Sequence, residues 1–145
     1  MVSYTLENFN KEAKKFAEKQ EMNAGQANIV ALHGDLGAGK TTFTQQVAKT
    51  LGVTETVVSP TFLIQKKYPL EGQVFANLIH IDAYRLESTD QLEVLDWADL
   101  ICDPSNLIFI EWPEHVEGLL APNTKHIYFE YIDSDTRAIT YGEKS

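Results

Sequence analysis

The residues with the clearest chemical meaning in this sequence lie at positions 34–41, which read GDLGAGKT. This segment matches the pattern G-x-x-x-x-G-K-[ST] at every fixed position, with Gly34, Gly39, Lys40 and Thr41. Such glycines allow the backbone to curl so that several N–H groups point into one concavity that binds phosphate. Lys40 would then reach the β- and γ-phosphates, and the Thr41 hydroxyl would bind Mg²⁺. The motif therefore predicts a site for the phosphates of a magnesium nucleotide.

The segments on either side of this loop have the patterns that the motif requires. Residues 29–32 (IVAL) form a continuous apolar run, typical of a strand that is buried on both faces. Residues 40–51 predict an amphipathic helix, and Gly52 is placed to end it. The N-terminus of that helix would add partial positive charge to the phosphate site. The predicted nucleotide-binding residues of this segment are Gly34, Asp35, Leu36, Gly37, Ala38, Gly39, Lys40, Thr41 and Thr42.

Two acidic residues follow apolar segments elsewhere in the chain. Asp82 follows residues 78–81 (LIHI), and Glu111 follows residues 107–110 (LIFI). Because ligand groups gather at the carboxyl ends of strands in open α/β sheets, we expect both acids to lie beside the loop. The purer apolar run favours Glu111 as a metal ligand together with Thr41. Asp82 is then the general base or water-orienting residue, although the sequence also allows the two roles to be exchanged.

Three further features could belong to the same site, and each has an ordinary alternative. Residues 59–62 (SPTF) either sense the terminal phosphate or simply form a turn. Arg85 either steadies the neighbouring acid and the transferred charge or forms a surface salt bridge of little energy. Trp112 either clamps the site or packs in the core. The four histidines, including His80, lack metal-ligand spacing and are predicted to be structural.

The remaining patterns predict a single α/β domain over residues 1–145. Mixed strands and helices around a strand–loop–helix unit favour a mainly parallel sheet, flanked by helices, with antiparallel strands added. This is the architecture of a phosphate-binding-loop (P-loop) NTPase. The other predicted elements are a helix at residues 9–22 capped by Asn8 or Asn10, a hairpin of strands at 62–68 and 74–82, an acidic helix at 89–97, a strand at 107–110, and closing strands at 125–131 and 138–141.

The composition limits the partners and the compartment of the protein. Its 145 residues are 43% hydrophobic and carry a net charge of −9, which argues against direct binding to DNA or RNA. Cys102 is the only cysteine, so an internal disulfide and a cysteine-based zinc site are both excluded. No apolar run approaches the ~20 residues of a membrane span, and a signal-peptide pattern is absent. We therefore expect a cytoplasmic protein with no membrane partner.

Four motifs in order resemble the TsaE (YjeE) family of bacterial ATPases. These motifs are GDLGAGKTT at 34–42, SPTF at 59–62, HIDAYRL at 80–86 and IEWPE at 110–114. The resemblance covers nearly the whole chain, although the first helix and the last strands match in kind only. Each short motif after the P-loop is weak alone, but the ordered set is specific.

The resemblance implies an ATPase that turns over slowly alone and faster in a complex. It implies a role in making threonylcarbamoyladenosine in tRNA, together with TsaD-like and TsaB-like proteins that transfer the threonylcarbamoyl group. The protein would reach tRNA only through that complex. ATP or ADP and Mg²⁺ are the implied cofactors, with adenine near the N-terminal segment and the C-terminal strands. The implied site roles are phosphate binding by Lys40 and the loop amides, Mg²⁺ binding by Thr41 and Glu111, hydrolysis by Asp82, and a place at the site for Trp112.

Two other functions remain compatible with the loop. A small P-loop kinase would need an acceptor pocket and usually a cationic lid, yet Arg85 and Arg137 are the only arginines. A nucleotide-switched assembly module would bind nucleotide without any need to hydrolyse it. A GTPase would carry an Asn-Lys-x-Asp base-recognition motif, and its absence favours ATP over GTP.

Overall fold

The computed structural model describes most of the chain, with gaps in three of the four predicted motifs. The described residues are 2–22, 25–35, 37–55, 65–83, 97–114, 118, 120 and 123–142. The predicted turn at 59–62, Leu36, Arg85 and all but the last residue of the predicted helix at 89–97 lie outside them. Within the described residues, no helix combines the length and hydropathy needed to cross a membrane.

Seven strands of the described chain form one mixed sheet. They are β1 (Val2–Thr5), β2 (Asn28–His33), β3 (Gln65–Pro69), β4 (Asn77–Asp82), β5 (Asn106–Glu111), β6 (Lys125–Asp133) and β7 (Thr136–Gly142). Their order across the sheet is β1-β7-β6-β2-β5-β4-β3. The central strands β6, β2, β5 and β4 are mutually parallel, whereas β1, β7 and β3 pair antiparallel. The predicted mixed α/β sheet with added antiparallel strands is therefore confirmed.

Helices cover both faces of this sheet. The described helices are α1 (Leu6–Glu18), α2 (Lys40–Thr50) and α3 (Trp97–Ile101). The first two share one core with the sheet, where Phe9 of α1 lies 6.0 Å from Phe43 of α2 and 6.1 Å from Phe129 of β6 between ring centroids. Trp97 of α3 belongs to the core on the opposite face. These aromatic contacts fix α1 and α2 against the sheet at β6, the neighbour of the strand β2 that precedes the glycine-rich loop.

The first helix begins earlier than predicted, and its capping residue was predicted wrongly. Thr5 is the N-cap and its hydroxyl oxygen accepts a hydrogen bond from the Asn8 N–H at 3.4 Å, so neither Asn8 nor Asn10 caps the helix. The physical reason is β1, which was not predicted. This edge strand pairs with β7 up to Thr5, and the Leu6 N–H then donates to the Asp135 carbonyl at 3.1 Å. The chain therefore leaves the sheet directly into the helix, which ends at Glu18 rather than near residue 22.

Most other predicted elements are confirmed with shifted ends. Strands β3 and β4 form the predicted hairpin, but the second strand begins at Asn77 rather than at Val74, whose side chain is exposed. Strands β6 and β7 form the closing hairpin. Gly52 ends the second helix with φ 92°, and its N–H donates to the Lys49 carbonyl at 3.1 Å, as its position after the helical pattern indicates. Helix α3 begins at Trp97, the last residue of the predicted helix at 89–97, and ends at Ile101; the rest of that predicted helix lies outside the described residues.

Candidate functional site

The glycine-rich motif at 34–41 forms the turn between β2 and α2. Gly34, Gly37 and Gly39 have φ values of 148°, 81° and 111°, all in the region that favours glycine. Gly39 is the N-cap of α2, so no side chain caps the helix, and the first turn contains no acidic residue. The N–H groups that a capping side chain usually satisfies thus remain available for an anion.

Two glycines of the loop, Gly34 and Gly37, differ in how tightly their backbone is enclosed. A Cβ atom at Gly34 would lie 2.7 Å from the Phe129 carbonyl oxygen, whereas one at Gly37 would meet nothing within 4 Å. We expect Gly34→Ala to lower the free energy of unfolding by at least ~3 kcal/mol, because backbone strain and a clash with backbone add. Gly37→Ala, with strain alone, is expected to cost ~1 kcal/mol. Urea denaturation checks both values, and equal losses would contradict the assigned enclosure.

Lys40 is buried at the mouth of the loop. Its side chain is only 4% exposed, and its Nζ donates to the Gly34 carbonyl oxygen at 2.6 Å. The same Nζ lies 3.7 Å from the centroid of the Trp112 ring, within cation–π range. Burial lowers the pKa of Lys40, and nearby carboxylates oppose that shift by favouring the ammonium form. These carboxylates belong to Glu111, Glu114, Asp82 and Asp35.

The two acids predicted from strand ends lie beside one another. Asp82 and Glu111 are register partners on the parallel strands β4 and β5, and each side chain is 3% exposed. Thr41, in the first turn of α2, places its Oγ1 3.3 Å from both carboxylate oxygens of Glu111. The structure therefore brings Lys40, Thr41, Asp82 and Glu111 to one end of the sheet. A hydroxyl beside a carboxylate is an oxygen donor set that suits Mg²⁺.

Trp112 directly follows Glu111 and has an unusual backbone conformation. Its φ is 59°, and Trp112 is the only non-glycine among the described residues with positive φ. A bulky side chain in this region is strained, and such strain concentrates at functional sites. The Trp112 ring lies over the Lys40 ammonium. The residue is also partly buried against the core on the other face of the sheet.

A pocket of about 270 Å³ opens beside these residues. Of the predicted loop residues, Gly37, Gly39, Lys40, Thr41 and Thr42 line this pocket together with Glu111. The other described loop residues are not part of its lining: Gly34 binds the Lys40 ammonium, Asp35 is exposed, and Ala38 is 1% exposed in the core.

Three pocket residues were missed by sequence reasoning. Leu6 and Phe9 come from α1, and Arg137 comes from β7. The Arg137 Nη1 donates to the carbonyl oxygens of Asp133 and Thr136 at 2.6 and 3.0 Å. In the sequence, Leu6 and Phe9 precede the motif by more than 20 residues and Arg137 follows it by more than 90, so no local pattern associates them with it. The N-terminal segment and the C-terminal strands thus both line the pocket. These are the two regions near which the family resemblance implies adenine.

His80 was predicted to be structural, and its side chain in fact contacts an acid of the site. Its Nε2 lies 2.5 Å from Oε2 of Glu111, and the imidazole is fully buried. A signal for this contact exists in the sequence. Residues 78–81 are apolar except for His80, which stands two residues before Asp82 and therefore on the same face of the strand.

Comparison with known proteins identifies the family of this chain. A sequence model described as "Threonylcarbamoyl adenosine biosynthesis protein TsaE" matches residues 6–139. This chain belongs to the TsaE family. The match spans the glycine-rich loop, both acids, Trp112 and the first four residues of β7, and the family resemblance seen in the four motifs is thereby confirmed.

Individual members of the TsaE family give the same result. A Rickettsia typhi protein is 34% identical over 131 residues, which cover 90% of this chain and 88% of that protein. A Bacillus subtilis protein is 36% identical over 130 residues, covering 90% and 78% of the two chains. Both are named tRNA threonylcarbamoyladenosine biosynthesis protein TsaE. The crystal structure of Bacillus subtilis YdiB superposes with a TM-score of 0.69 at 29% identity, covering 97% of this chain and 83% of that one, which supports the P-loop NTPase-like fold.

Proposed function

We propose that this chain binds ATP with Mg²⁺ at the P-loop and hydrolyses it in support of threonylcarbamoyladenosine formation in tRNA. The observation that carries the proposal is the convergence at one pocket of a glycine-rich turn, the buried Lys40 and the strand-end carboxylate of Glu111, with Asp82 beside Glu111 in register on the next strand. Membership of the TsaE family, whose relatives carry the name of that modification, connects the site to tRNA.

The residues present fit a bound nucleotide tail. The uncapped N-terminus of α2 and the Lys40 ammonium supply positive charge and N–H donors for phosphate oxygens. In the free protein this ammonium binds only one carbonyl and one ring among the contacts described, so phosphate oxygens can replace the Gly34 carbonyl as its acceptor. Lys40 would thereby hold the phosphates and stabilise the negative charge that develops on the terminal group.

Thr41 and Glu111 are the residues that would hold Mg²⁺. Their contact at 3.3 Å supports this assignment over the exchanged one, because it joins the loop hydroxyl to the β5 acid. When bound, the ion would neutralise phosphate charge and polarise the terminal phosphoryl group. Asp82, next to Glu111 on the neighbouring strand, would orient the attacking water and accept its proton.

The charge of the chain supports an indirect connection to tRNA. A net charge of −9 gives no electrostatic attraction to a polyanion. We infer that the protein acts on the modification through TsaD-like and TsaB-like partners in the cytoplasm, and that ATP binding and hydrolysis drive its docking to the partner complex or the resetting of that complex.

Partner proteins are expected to raise the rate of phosphate release by at least about tenfold, equivalent to ~1.4 kcal/mol of barrier. The physical reason is that a partner can order the catalytic residues around the pocket, which is open in the isolated chain. The measurement is phosphate release from ATP with and without TsaB- and TsaD-like proteins. Lys40→Met provides the blank, because it removes the phosphate-binding cation.

Two results would contradict parts of this proposal. Phosphate release that the partners leave unchanged would argue against the tRNA-modification role, although ATP binding would survive as a conclusion. Efficient ATP-dependent phosphorylation of one compound in a panel of small-molecule acceptors would favour a kinase instead.

A further inference from the structure

His80 occupies a position in β4 where packing alone favours an apolar residue. Side chains alternate along the strand, so Leu78, His80 and Asp82 share the face covered by α1 and α2. Leu78 and His80 are both fully buried. Leu78 lies in the apolar core, whereas His80 reaches across to Glu111 on β5, with its Nε2 2.5 Å from the carboxylate Oε2.

The imidazole has one nitrogen with a partner and one without. An ionised Glu111 only accepts hydrogen bonds, so Nε2 of His80 must carry the hydrogen that it donates. The other nitrogen, Nδ1, is buried and has no hydrogen-bond partner within the described part of the chain. An unpaired buried polar atom destabilises the folded state, and a leucine at this position would avoid that cost. Packing therefore does not explain a histidine at position 80, whereas the hydrogen bond from His80 to Glu111 does explain it.

The hydrogen bond also fixes how Glu111 faces the pocket. Oε2 accepts from His80, while both carboxylate oxygens stay 3.3 Å from the Thr41 hydroxyl. We propose that His80 is a positioning residue, which holds the Glu111 carboxylate in the orientation that serves the Mg²⁺ of a bound nucleotide. This inference rests on the proposed function, since it presumes that Glu111 acts toward the ion.

Removing the Nε2 donor is expected to weaken Mg²⁺ binding without weakening nucleotide binding itself. Loss of an outer hydrogen-bond partner typically lowers metal affinity by ~10–100-fold. We therefore expect His80→Leu to raise the Mg²⁺ concentration needed to saturate the protein–ADP complex by at least ~10-fold. Its affinity for ADP in the presence of a chelator should stay within ~2-fold of the original value, because the described hydrogen bond of His80 goes to Glu111 and not to the glycine-rich loop. Calorimetric Mg²⁺ titrations, repeated with Mn²⁺ by electron paramagnetic resonance, measure both quantities.

Two polar variants separate positioning from packing, and they keep the test valid if His80→Leu fails to fold. The amide nitrogen of a glutamine corresponds to Nε2 of the imidazole, whereas that of an asparagine corresponds to Nδ1. We expect His80→Gln to recover most of the Mg²⁺ affinity and His80→Asn to lose it. Ile79→Val, a buried change on the other face of β4, is the stability control and should lower the thermal midpoint while leaving Mg²⁺ binding unchanged.

The possible failures are distinguishable from one another. If His80→Leu or His80→Asn binds Mg²⁺ as tightly as the original protein does, the positioning role is wrong. The role is equally wrong if glutamine and asparagine lose the same affinity, since the donor position would then not matter. If the unaltered protein binds no ADP with or without Mg²⁺, the proposed function fails, and the inference fails with it.

Discussion

Replacing Lys40 with methionine is expected to weaken ATP binding by at least about 100-fold. The ammonium is the one buried cation of the loop, and its hydrogen bonds to phosphate would each contribute ~1.5–3 kcal/mol. Losing two of them therefore exceeds the ~2.8 kcal/mol that corresponds to a 100-fold change. Methionine keeps the unbranched stem of the side chain, so the change removes the charge and little of the packing. Isothermal titration calorimetry with ATP and Mg²⁺ measures the effect.

The same substitution is expected to leave the fold as stable as before, or more stable. Burial lowers the pKa of Lys40 despite the opposing carboxylates, so the folded state disfavours the ammonium relative to the unfolded chain. This penalty is complete at pH values below the folded-state pKa and disappears as the pH rises past the ordinary value of 10.5. The thermal midpoint of Lys40→Met at neutral pH should thus equal or exceed that of the original protein.

A matched control lies on the same helix. Lys49, in the last turn of α2, is exposed, and Lys49→Met should leave ATP affinity within ~2-fold. If Lys40→Met bound ATP within about threefold of the original protein, the ammonium would not be a phosphate ligand, whatever its effect on stability.

Asp82→Ala is expected to slow phosphate release by ~10²–10⁴-fold while ATP affinity changes by less than about threefold. Positioned bases contribute that much to proton transfer, and Asp82 lies on the strand next to Glu111 rather than in the loop that is proposed to bind phosphate. Single-turnover hydrolysis measured beside calorimetry separates the two effects. Asp99→Ala, at an exposed acid of α3, is the control for a change of net charge.

Other outcomes of this experiment identify the competing functions. If Asp82→Ala binds ATP, hydrolyses it normally and supports tRNA modification, then Asp82 is not the hydrolytic acid. If hydrolysis is lost but tRNA modification persists, the protein is a nucleotide-switched assembly module. If Glu111→Gln stops hydrolysis while Mg²⁺ affinity is retained, the roles assigned to the two acids are exchanged.

The parts of the site that sequence could predict are those coded by short segments. The loop motif is recognised from fixed residue types at fixed positions. The apolar runs before Asp82 and Glu111 indicate strands whose ends lie at one edge of the sheet. That these two strands are neighbours, with the acids in register, follows from the strand order and is not written in either segment.

The parts that could not be predicted depend on contacts between distant segments. Edge strand β1 exists because β7 pairs with it, and this pairing moves the helix cap to Thr5. Arg137 and Leu6 meet at the pocket from opposite ends of the chain. His80 was predicted to be structural because the histidines lack metal-ligand spacing, and the side-chain contact with Glu111 gives it a chemical role.

The most direct test of the central claim is calorimetric titration of the purified protein with ATP in excess Mg²⁺. We predict saturable binding at one site per chain, weakened by removal of Mg²⁺ and lost in Lys40→Met. If neither ATP nor ADP produced any binding heat at millimolar concentration, and competition with a fluorescent nucleotide agreed, the loop would not be a nucleotide site, and the function proposed for this chain would be wrong.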